Sequence, residues 1–382
     1  MPIYKVDGVK KDGAQKYNVR VNYTDSNGQA KQLTRTAYGA EAAKDLERKL
    51  AQEQKVKGDA PVKKMTVQQL FDEYMTVKRY EVRESTLAKC DQSITIHILP
   101  LFKDVRIDRL GVQLLQEWKL TMEQKGLSLK TRQRVYGDFR TMINYAIRME
   151  YIPSNPLVKI GNFKDKMDTV KQGMNFYTAE DFKVFINAAK EVARERETKH
   201  SDLAEWDFVV FFCIAFYCGL RKGEIHALKW SDIDGAYLSV NRSITQKLRG
   251  GDRETLPKNQ SSIRTLQMPL PLIKMLDVHK KRQMQCFKNF SDDFRVCGGE
   301  RSLRDTTIEI RNKQYAELSG IKKIRIHDYR HSHVSILANE KINIQEVARR
   351  LGHSRIEMTW NTYSHLYPRE EERAVEILNK IA

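Results

Sequence analysis

The N-terminal part of the chain alternates apolar and polar positions. Between Tyr17 and Tyr23, every second residue of KYNVRVNY is apolar, which predicts a strand with one apolar face. IYKV before it and KQLTRTAY after it have the same β-type composition, and an Asn-Gly pair predicts a turn between the second and third strands. Residues 40–55 contain neither Gly nor Pro and predict one helix. We therefore expect a small domain at 1–57, with a three-stranded β-sheet and a helix.

From residue 65 onward the apolar positions recur at helical spacing. Thr66 is the predicted N-cap of a first helix in MTVQQLFDEYMTVK, and Ser85 begins a second helix. A third predicted helix ends at Gly126, and a fourth ends before Pro153. Residues 65–163 are therefore predicted to form an all-α domain.

The remaining half of the chain predicts a larger domain of mixed character. Polar, charged stretches at 58–64 and 164–173 are predicted linkers, so this domain covers 174–382. Thr178 precedes acidic residues and predicts a helix start. AYLSVNRSITQKL and SIRTLQMPL read as strands, with the segment 249–259 as a loop between them, and helices resume near residue 305. The predicted fold class is multidomain α+β, with a mainly α third domain that contains a small antiparallel sheet.

The net charge of the chain narrows the classes of molecule that it is expected to bind. The formal net charge is +18 with a pI of about 9.5, which predicts a polyanion partner, nucleic acid before an anionic membrane surface. No apolar run approaches the ~20 residues of a membrane span, and the first residues lack the apolar core of a signal peptide. We therefore expect a cytoplasmic protein that binds nucleic acid and not membrane.

The sequence lacks the motifs of several common classes of enzyme and metal site. The five cysteines include no CxxC pair, so a disulfide framework or a zinc ribbon is not expected. The sequence also lacks GxxxxGK[ST], HExxH and an acidic cluster of the two-metal nuclease type. Chemistry on nucleic acid would then proceed without a metal or another cofactor.

Cations and histidines recur instead near the ends of predicted elements. Arg221 follows a buried helix in CGLRKGE, and Lys258 lies in the turn between two strands. In IHDYRHSH, His327 and Arg330 are three residues apart and share a helix face. His353 follows the glycine of LGHS. The order of these four motifs along one domain is not expected to arise by chance.

Each of these residues also has a plain structural interpretation. Arg221 could pair with Glu224, Lys258 could be a surface lysine, and His353 could cap a helix. The histidines of RHSH could form a metal cluster with His327, although Arg330 on the same face would repel a cation. Tyr363 and Tyr367, one helical turn apart, could both be packing residues.

The motifs in their order resemble those of the tyrosine recombinase (phage integrase) family. They are GLRxGE, PK followed by SxRT, HDYRH, LGHS and NTYSHL, and the resemblance covers essentially the whole chain. It implies that 1–57 is an arm-type DNA-binding domain, as in integrases of phages and conjugative elements. Residues 65–163 would then be the helical, SAM-like core-binding domain, and 174–382 the catalytic domain.

The resemblance also implies roles for six residues. Two arginines would hold the scissile phosphate, a lysine would protonate the leaving 5′ oxygen, and a first histidine would contact the phosphate or take the tyrosine proton. A second histidine would donate a hydrogen bond to the phosphate, and a tyrosine ten residues after it would attack. In that order these residues are Arg221 and Arg330, Lys258, His327, His353, and Tyr363 as the nucleophile.

Six further cations are candidate DNA contacts, although each could equally be a solvated surface residue. Two lie on the predicted strands, three at the start of the fourth helix, and one in the SxRT motif: Arg20, Arg35, Lys130, Arg132, Arg134 and Arg264. The family implies double-stranded DNA with core and arm attachment sites as partner. It also implies a homo-oligomer on DNA, in a tetrameric synapse within the nucleoid of a bacterial host, and an excisionase or a DNA-bending host factor.

The expected function is a site-specific recombinase that integrates and excises a mobile element. A resolvase-type recombinase for replicon dimers is one alternative, which the N-terminal β module disfavours because such family members usually lack one. A DNA-binding regulator with vestigial motifs is another, and the intact set of six residues argues against it.

Overall fold

The computed structural model describes residues 3–11, 14–24, 30–58, 64–164, 173–200, 202–246, 251–255, 260–367, 375–376 and 378–379. The chain divides into two compact units, Met1–Val170 and Lys171–Ala382. The first unit contains two separate hydrophobic clusters, one in the N-terminal sheet and one in the helices that follow. The boundaries of the three predicted domains stay a prediction.

The N-terminal residues form the predicted antiparallel sheet with a helix on one face. The elements are β1 (Ile3–Lys11), β2 (Ala14–Thr24), β3 (Ala30–Tyr38) and α1 (Ala40–Gly58), and the strand order is β1-β2-β3. Val19, Ala37, Ala43 and Leu50 form the small core between sheet and helix. The Asn-Gly turn predicted between β2 and β3 lies outside the described residues.

The register of β2 with β3 places the two predicted DNA-binding arginines on opposite faces of the sheet. Arg35 pairs with the buried Val19 and therefore lies on the face that packs against α1. Arg20 pairs with Thr34 on the other, polar face, where its guanidinium stacks 4.9 Å from the ring centroid of Tyr4. The two arginines therefore cannot enter one DNA groove side by side.

The next part of the first unit is all-helical, as predicted. Its helices are α2 (Val67–Glu81), α3 (Glu84–His97), α4 (Leu99–Phe102), α5 (Val112–Gln124), α6 (Leu129–Arg148) and α7 (Leu157–Ile160). Thr66 begins α2 with a capping box, in which its side chain and that of Gln69 bind each other's backbone N–H groups. Trp118 lies at the centre of the core, with the rings of Phe102, Phe139 and Phe163 around it.

The second unit is mainly helical and contains small antiparallel sheets. Its helices are α8 (Ala179–His200), α9 (Glu205–Cys218), α10 (Lys222–Ala227), α11 (Leu270–Cys286), α12 (Asp305–Leu318), α13 (Asp328–Asn339), α14 (Ile344–Leu351) and α15 (Ile356–Tyr363). Its strands are β4 (Ile233–Asp234), β5 (Tyr237–Val240), β6 (Ser243–Thr245), β7 (Arg253–Thr255) and β8 (Arg264–Gln267). The predicted fold class is confirmed.

The strands of this unit correct one prediction. AYLSVNRSITQKL forms two strands in different sheets, because β5 pairs with β4 and β8 whereas β6 pairs with β7. The break falls at Asn241 and Arg242, whose side chains both bind the buried carboxylate of Asp232. The segment 249–259, predicted as a loop, contains β7. Strands of three residues are too short to show a clear period in sequence.

Helix α9 is the central element of the second unit. It is apolar on every side and buried along its length, as expected of a helix that packs on all faces. It ends at Gly219, which has φ +62° and closes the helix in the left-handed conformation. A Cβ atom at Gly219 would lie 2.7 Å from the His333 ring. Glycine is therefore required there both by the backbone and by the close approach of α13.

We expect Gly219→Ala to destabilise the protein by roughly 3 kcal/mol, because left-handed strain adds to overpacking against His333. Gly235→Ala is the matched control: its φ is +54°, and no atom lies within 4 Å of the position that an added Cβ would take. This control should lose about 1 kcal/mol, the backbone strain alone. Denaturant unfolding of both variants measures the difference. Equal losses would show that the contact with His333 is relieved at no cost.

Candidate active site

The loop between α9 and α10 holds Arg221 in a defined position. Arg221 is the N-cap residue of α10, and the Glu224 carboxylate accepts its backbone N–H at 2.8 Å. The same carboxylate accepts a hydrogen bond from Arg221 Nη1 at 2.9 Å. The three-residue spacing in RKGE thus forms a helix cap and an ion pair together. The guanidinium remains 37% exposed.

Glu224 also holds a second arginine in the interior. Arg264, on β8, donates to both carboxylate oxygens at 2.9 and 3.2 Å, in the two-pronged geometry of a strong charge-assisted pair. Both side chains are deeply buried, with exposures of 4% and 5%. Burial alone would raise the pKa of Glu224, but Arg264, Arg221 and Arg330 outweigh burial and lower it. The carboxylate is therefore ionised at neutral pH.

Arg330, on α13, lies at the bottom of the same site. It is 2% exposed and donates to the backbone carbonyls of Gly219 at 2.8 Å and Leu351 at 2.6 Å. These carbonyls are the C-terminal ends of α9 and α14, where the helix dipole is negative and favours a cation. Burial, together with Arg221, lowers the pKa of Arg330, but a guanidinium stays charged at neutral pH.

His353 follows the left-handed Gly352 that ends α14, and its neighbours define its tautomer. Arg330 Nη2 lies 2.9 Å from His353 Nε2 and can only donate. Nε2 is therefore the acceptor and Nδ1 carries the proton, which it donates to Thr359 Oγ1 at 2.7 Å. Burial, followed by Arg330, Arg221 and Arg264, lowers the pKa of His353 to about 4. The ring is neutral at pH 7.

Tyr363 lies at the end of α15, with its ring in a small core. It is 2% exposed and packs with Val334, Val347 and Leu351. Burial raises the pKa of Tyr363 to about 12, although Arg330 and Arg221 act in the opposite direction. Arg330 and Arg221, which lower the pKa of His353, therefore also act to lower the pKa of the Tyr363 hydroxyl.

The Tyr363 hydroxyl is hydrogen-bonded to a histidine that sequence reasoning did not select. His331 Nδ1 lies 2.7 Å from Tyr363 Oη. His327, one helical turn earlier, is exposed, and its ring centroid lies 5.1 Å from that of His331. Tyr367 is half-buried outside α15, so the two tyrosines have different environments.

The structure brings together four of the six residues predicted for catalysis: Arg221, Arg330, His353 and Tyr363. His327 lies at their edge, beside His331. Lys258 falls outside the described residues. The prediction that Arg264 contacts DNA is corrected, because its buried guanidinium is occupied by Glu224 and by the carbonyls of Arg350 and Ser262.

The three cations at the start of α6 also differ from one another. Lys130 and Arg134 are exposed, with Arg134 52% accessible. Arg132 is 20% exposed, lies 5.5 Å from the ring of Phe163 and 3.9 Å from Glu123. Positions four apart share a helix face and the one between them does not. Lys130 and Arg134 therefore remain candidate DNA contacts by their exposure, although Arg134 also contacts Asp138 and the Lys89 carbonyl. Arg132 is more buried than either.

Metal binding and membrane insertion can be assessed for the described part of the chain. Within it, no group of three His, Cys, Asp or Glu residues is arranged to hold a metal ion. His333 points away from His327 and donates from Nδ1 to the Phe216 carbonyl at 3.0 Å. No helix among these residues is long and apolar enough to cross a membrane.

Sequence reasoning missed three residues of the site. Glu224 is expected from the sequence as a partner of Arg221 alone, yet it binds two arginines. Thr359 has no role assigned from the sequence, and His331 was considered only as a possible metal ligand. The four-residue spacing from Thr359 to Tyr363 places both on one helix face, and both are buried. The spacing from Thr359 to Tyr363 is therefore the sequence signal that could have identified Thr359 as part of the site.

We expect Glu224→Gln to destabilise the protein by about 3 kcal/mol at pH 7, because it leaves buried guanidinium groups without a counter-charge. The lowered pKa of Glu224 means that its stabilising effect is present above its usual value of about 4.5 and is lost as pH falls through the folded-state pKa. The gap between the wild type and the variant should therefore shrink below pH 4.5. Denaturant unfolding across pH measures it.

Glu317→Gln is the control for this measurement. Glu317 is 66% exposed and pairs with Lys313 on the surface of α12, so its loss should change stability by less than about 0.5 kcal/mol. A gap for Glu224→Gln that does not vary with pH would contradict the role of the ionised carboxylate.

Comparisons with known proteins identify the family of the chain. The phage integrase family matches residues 176–370, and the phage integrase N-terminal SAM-like domain matches residues 66–122. The ICEBs1 integrase of Bacillus subtilis is 26% identical over 295 residues, which cover 75% of this chain and 76% of that protein. A XerC-like tyrosine recombinase of Caldanaerobacter subterraneus is 29% identical over 291 residues, 70% of each chain.

Solved structures share the fold. The Tn1549 transposon integrase, in complex with transposon right end DNA, superposes with a TM-score of 0.64 at 22% identity and covers 83% of this chain and 100% of its own. A lambda integrase tetramer bound to a Holliday junction has a TM-score of 0.53 at 14% identity, over 93% of this chain and 96% of its own. The family match spans more than half of the chain and includes all the residues of the site. The resemblance noted from the motifs is thus confirmed: the chain belongs to the phage integrase family of tyrosine recombinases.

Proposed function

We propose that the protein is a site-specific DNA recombinase that integrates, and also excises, a mobile element or prophage. It would cut and rejoin strands through a 3′-phosphotyrosyl intermediate with Tyr363 as nucleophile. The observation that carries this proposal is that Arg330 and Arg221 both act on the buried Tyr363 hydroxyl, while His353 is hydrogen-bonded to Arg330. Two permanent cations beside a nucleophile are suited to a phosphodiester, whose charge increases as it becomes five-coordinate.

The arginines would stabilise the transition state more than the bound diester. Arg330 is fixed by two carbonyls and Arg221 by Glu224, so neither needs to reorganise during the reaction. Fixed cations lower the energy of the state with more negative charge, and the loss of one such contact typically costs about 3–4 kcal/mol. The planar, permanently charged guanidinium also matches two phosphate oxygens at once.

Lys258 and the two histidines would transfer protons or form hydrogen bonds to the phosphate. Lys258 would protonate the leaving 5′ oxygen, and His327, which is exposed at the edge of the site, would bind the phosphate. His353 Nε2 now accepts a hydrogen bond from Arg330, so it can donate to a phosphate oxygen only after it gains a proton. A phosphate anion beside it would raise its pKa.

The bond energy would be conserved through the reaction. Tyr363 Oη would form a bond to phosphorus while the bond to the 5′ oxygen breaks, which leaves a 3′-phosphotyrosyl link and a free 5′ hydroxyl. A 5′ hydroxyl from another strand would reverse this step. The number of phosphoester bonds is unchanged, so religation needs no ATP.

Double-stranded DNA would be bound by more than the catalytic unit. The polar face of the N-terminal sheet carries Arg20 among Asn, Gln and Thr side chains, several of them hydrogen-bonded to each other. This face would bind arm sites, and Lys130 and Arg134 on α6 would contact phosphates of core sites.

We further propose assembly of four copies on DNA, an excisionase or DNA-bending host factor that sets direction, and action at the bacterial nucleoid. The N-terminal sheet favours an integrase over a resolvase of replicon dimers.

The nucleophile can be tested with a nicked duplex. DNA that binds the full chain is selected from a random pool, and nicks are placed at successive positions so that cleavage releases a short strand and traps the adduct. We expect a covalent protein–DNA product that Tyr363→Phe abolishes, because only the hydroxyl is removed. Tyr367→Phe is the control and should retain the product, which is detected on a denaturing gel.

The variants must bind the selected duplex as the wild type does. An adduct that survives Tyr363→Phe would overturn the assignment of the nucleophile. An absence of any adduct from the wild type with every nick position would overturn the proposed chemistry.

The sheet face can be tested with a pair of arginine variants in the full chain. Arg20→Gln should weaken binding to the selected arm-type duplex about 5-fold to 10-fold and reduce the slope of log K against log salt by about 1, as expected for one lost phosphate contact. Arg35→Gln should have a smaller effect, because Arg35, although exposed, lies on the face of the sheet that packs against α1 and not on the polar face. A larger effect at Arg35 would place the DNA on the opposite side.

A further inference from the structure

The partner of the Tyr363 hydroxyl is the least explained feature of the site. A tyrosine with a pKa of about 12 is almost entirely protonated at neutral pH, so its attack on phosphorus requires that the proton leave as the new bond forms. His331 Nδ1, 2.7 Å from Tyr363 Oη, is within the distance at which a base can take that proton. His327, assigned above to the phosphate, lies on the exposed side of His331.

The protonation states of both groups are set by their surroundings. Burial, followed by His327 and, more weakly, Arg325 and Arg330, lowers the pKa of His331 to about 4, while Asp328 acts in the opposite direction. His331 is therefore neutral at pH 7, with one ring nitrogen free to accept. The hydroxyl of Tyr363 is protonated and, being buried, needs an acceptor.

The tautomer of His331 follows from its two neighbours. If Nδ1 carried the proton, it would donate to Tyr363 Oη and leave the buried hydroxyl proton to find another acceptor. With the proton on Nε2, Nδ1 accepts from the hydroxyl instead. Asp328 Oδ1 lies 3.9 Å from Nε2, too far for a direct hydrogen bond but close enough to favour a proton on that side. Asp328 is itself held in place by Arg325 through bonds of 2.8 to 3.2 Å.

From this geometry we propose that His331 is the general base of the cleavage step, a role that rests on Tyr363 being the nucleophile. As Tyr363 Oη bonds to phosphorus, its proton moves to His331 Nδ1, and the bond from phosphorus to the 5′ oxygen breaks. The leaving 5′ oxygen takes its proton from the general acid, assigned above to Lys258. The Asp328 carboxylate stabilises the imidazolium that results. Religation reverses each transfer, and His331 returns the proton to Tyr363.

The arrangement of carboxylate, imidazole and hydroxyl has the logic of a hydrolase triad. In both, a buried carboxylate favours the tautomer in which the imidazole accepts from the nucleophile. Here the nucleophile is a phenol, which is more acidic than a serine hydroxyl, so a looser contact between carboxylate and imidazole is sufficient. Deprotonation by a positioned base contributes about 10²-fold to 10⁴-fold in rate.

His331→Asn separates base strength from hydrogen bonding. Its side-chain oxygen can occupy the position of Nδ1 and accept from Tyr363, but it has no useful proton affinity. We expect the single-turnover rate of adduct formation to fall about 10²-fold or more, with unchanged affinity for the selected duplex. His365→Asn, at an exposed position on the same segment as the nucleophile, should leave the rate unchanged.

The pH dependence distinguishes a base from a positioning group. The charged and titratable groups that face His331 are His327, Asp328, Arg330, Arg325 and Tyr363. Between pH 6.5 and 9 the wild type should show no rise in rate from deprotonation of Tyr363, because the base is already neutral. His331→Asn should instead gain about tenfold per pH unit, since solvent must then remove a proton from a group with a pKa of about 12.

A substrate with sulfur in place of the bridging 5′ oxygen completes the test, because a thiolate leaves without a general acid. This substrate should not restore the rate of His331→Asn if His331 acts on the nucleophile. Restoration would assign His331 to the leaving group, and a wild-type rate with a flat pH profile in His331→Asn would show that the histidine is packing; either result overturns the proposal. A residual adduct in Tyr363→Phe would instead overturn the proposed nucleophile, so the two failures are distinguishable.

Discussion

The site depends on the burial of positive charge next to one carboxylate. Arg221, Arg264 and Arg330 lie close enough to affect each other's environment, and Glu224 is the anion between them. The desolvation of Arg264 and Arg330 would be very costly without this partner, whereas Arg221 stays partly exposed. Helix ends provide the remaining compensation, because the carbonyls that end α9 and α14 accept from Arg330. The positive charge of the site is thus a property of the fold.

The need to bring the last carbonyls of a helix next to an arginine explains why α9 and α14 each end at a glycine. Gly219 and Gly352 have φ of +62° and +64° and bring a neighbouring side chain within 3.0 Å of any added Cβ, His333 in one case and Arg264 in the other. Each glycine lets a helix stop abruptly and present its last carbonyls to an arginine. In the motifs GLR and LGH, the glycine therefore ends a helix whose last carbonyls accept hydrogen bonds from an arginine.

Most of the larger elements could be predicted from the sequence, but α11 was missed, because helices were expected to resume only near residue 305. Long helices such as α2 and α6 have clear apolar periods and capping residues. Arg221, Arg330, His353 and Tyr363 were selected because their motifs resemble those of the family. The short strands β6 and β7 were missed because three residues show no period. The buried role of Arg264 was missed because its partner Glu224 is 40 residues away, and sequence patterns do not reveal which charge pairs with which across such a separation.

Burial and the same positive field together explain why the histidines of the site are neutral. Burial lowers the pKa values of His331 and His353 to about 4, reinforced chiefly by His327 at His331 and by Arg330, Arg221 and Arg264 at His353. Each ring therefore keeps a lone pair at physiological pH. A phosphodiester bound between Arg221 and Arg330 would offset part of that charge, and the proton affinity of both imidazoles would rise. Under the proposed mechanism, His331 becomes a stronger base and His353 a better donor only when DNA is in place. At His353, the arginines proposed to bind the phosphate thereby also help to keep the imidazole neutral until the substrate is present. At His331, burial and His327 have the larger effect.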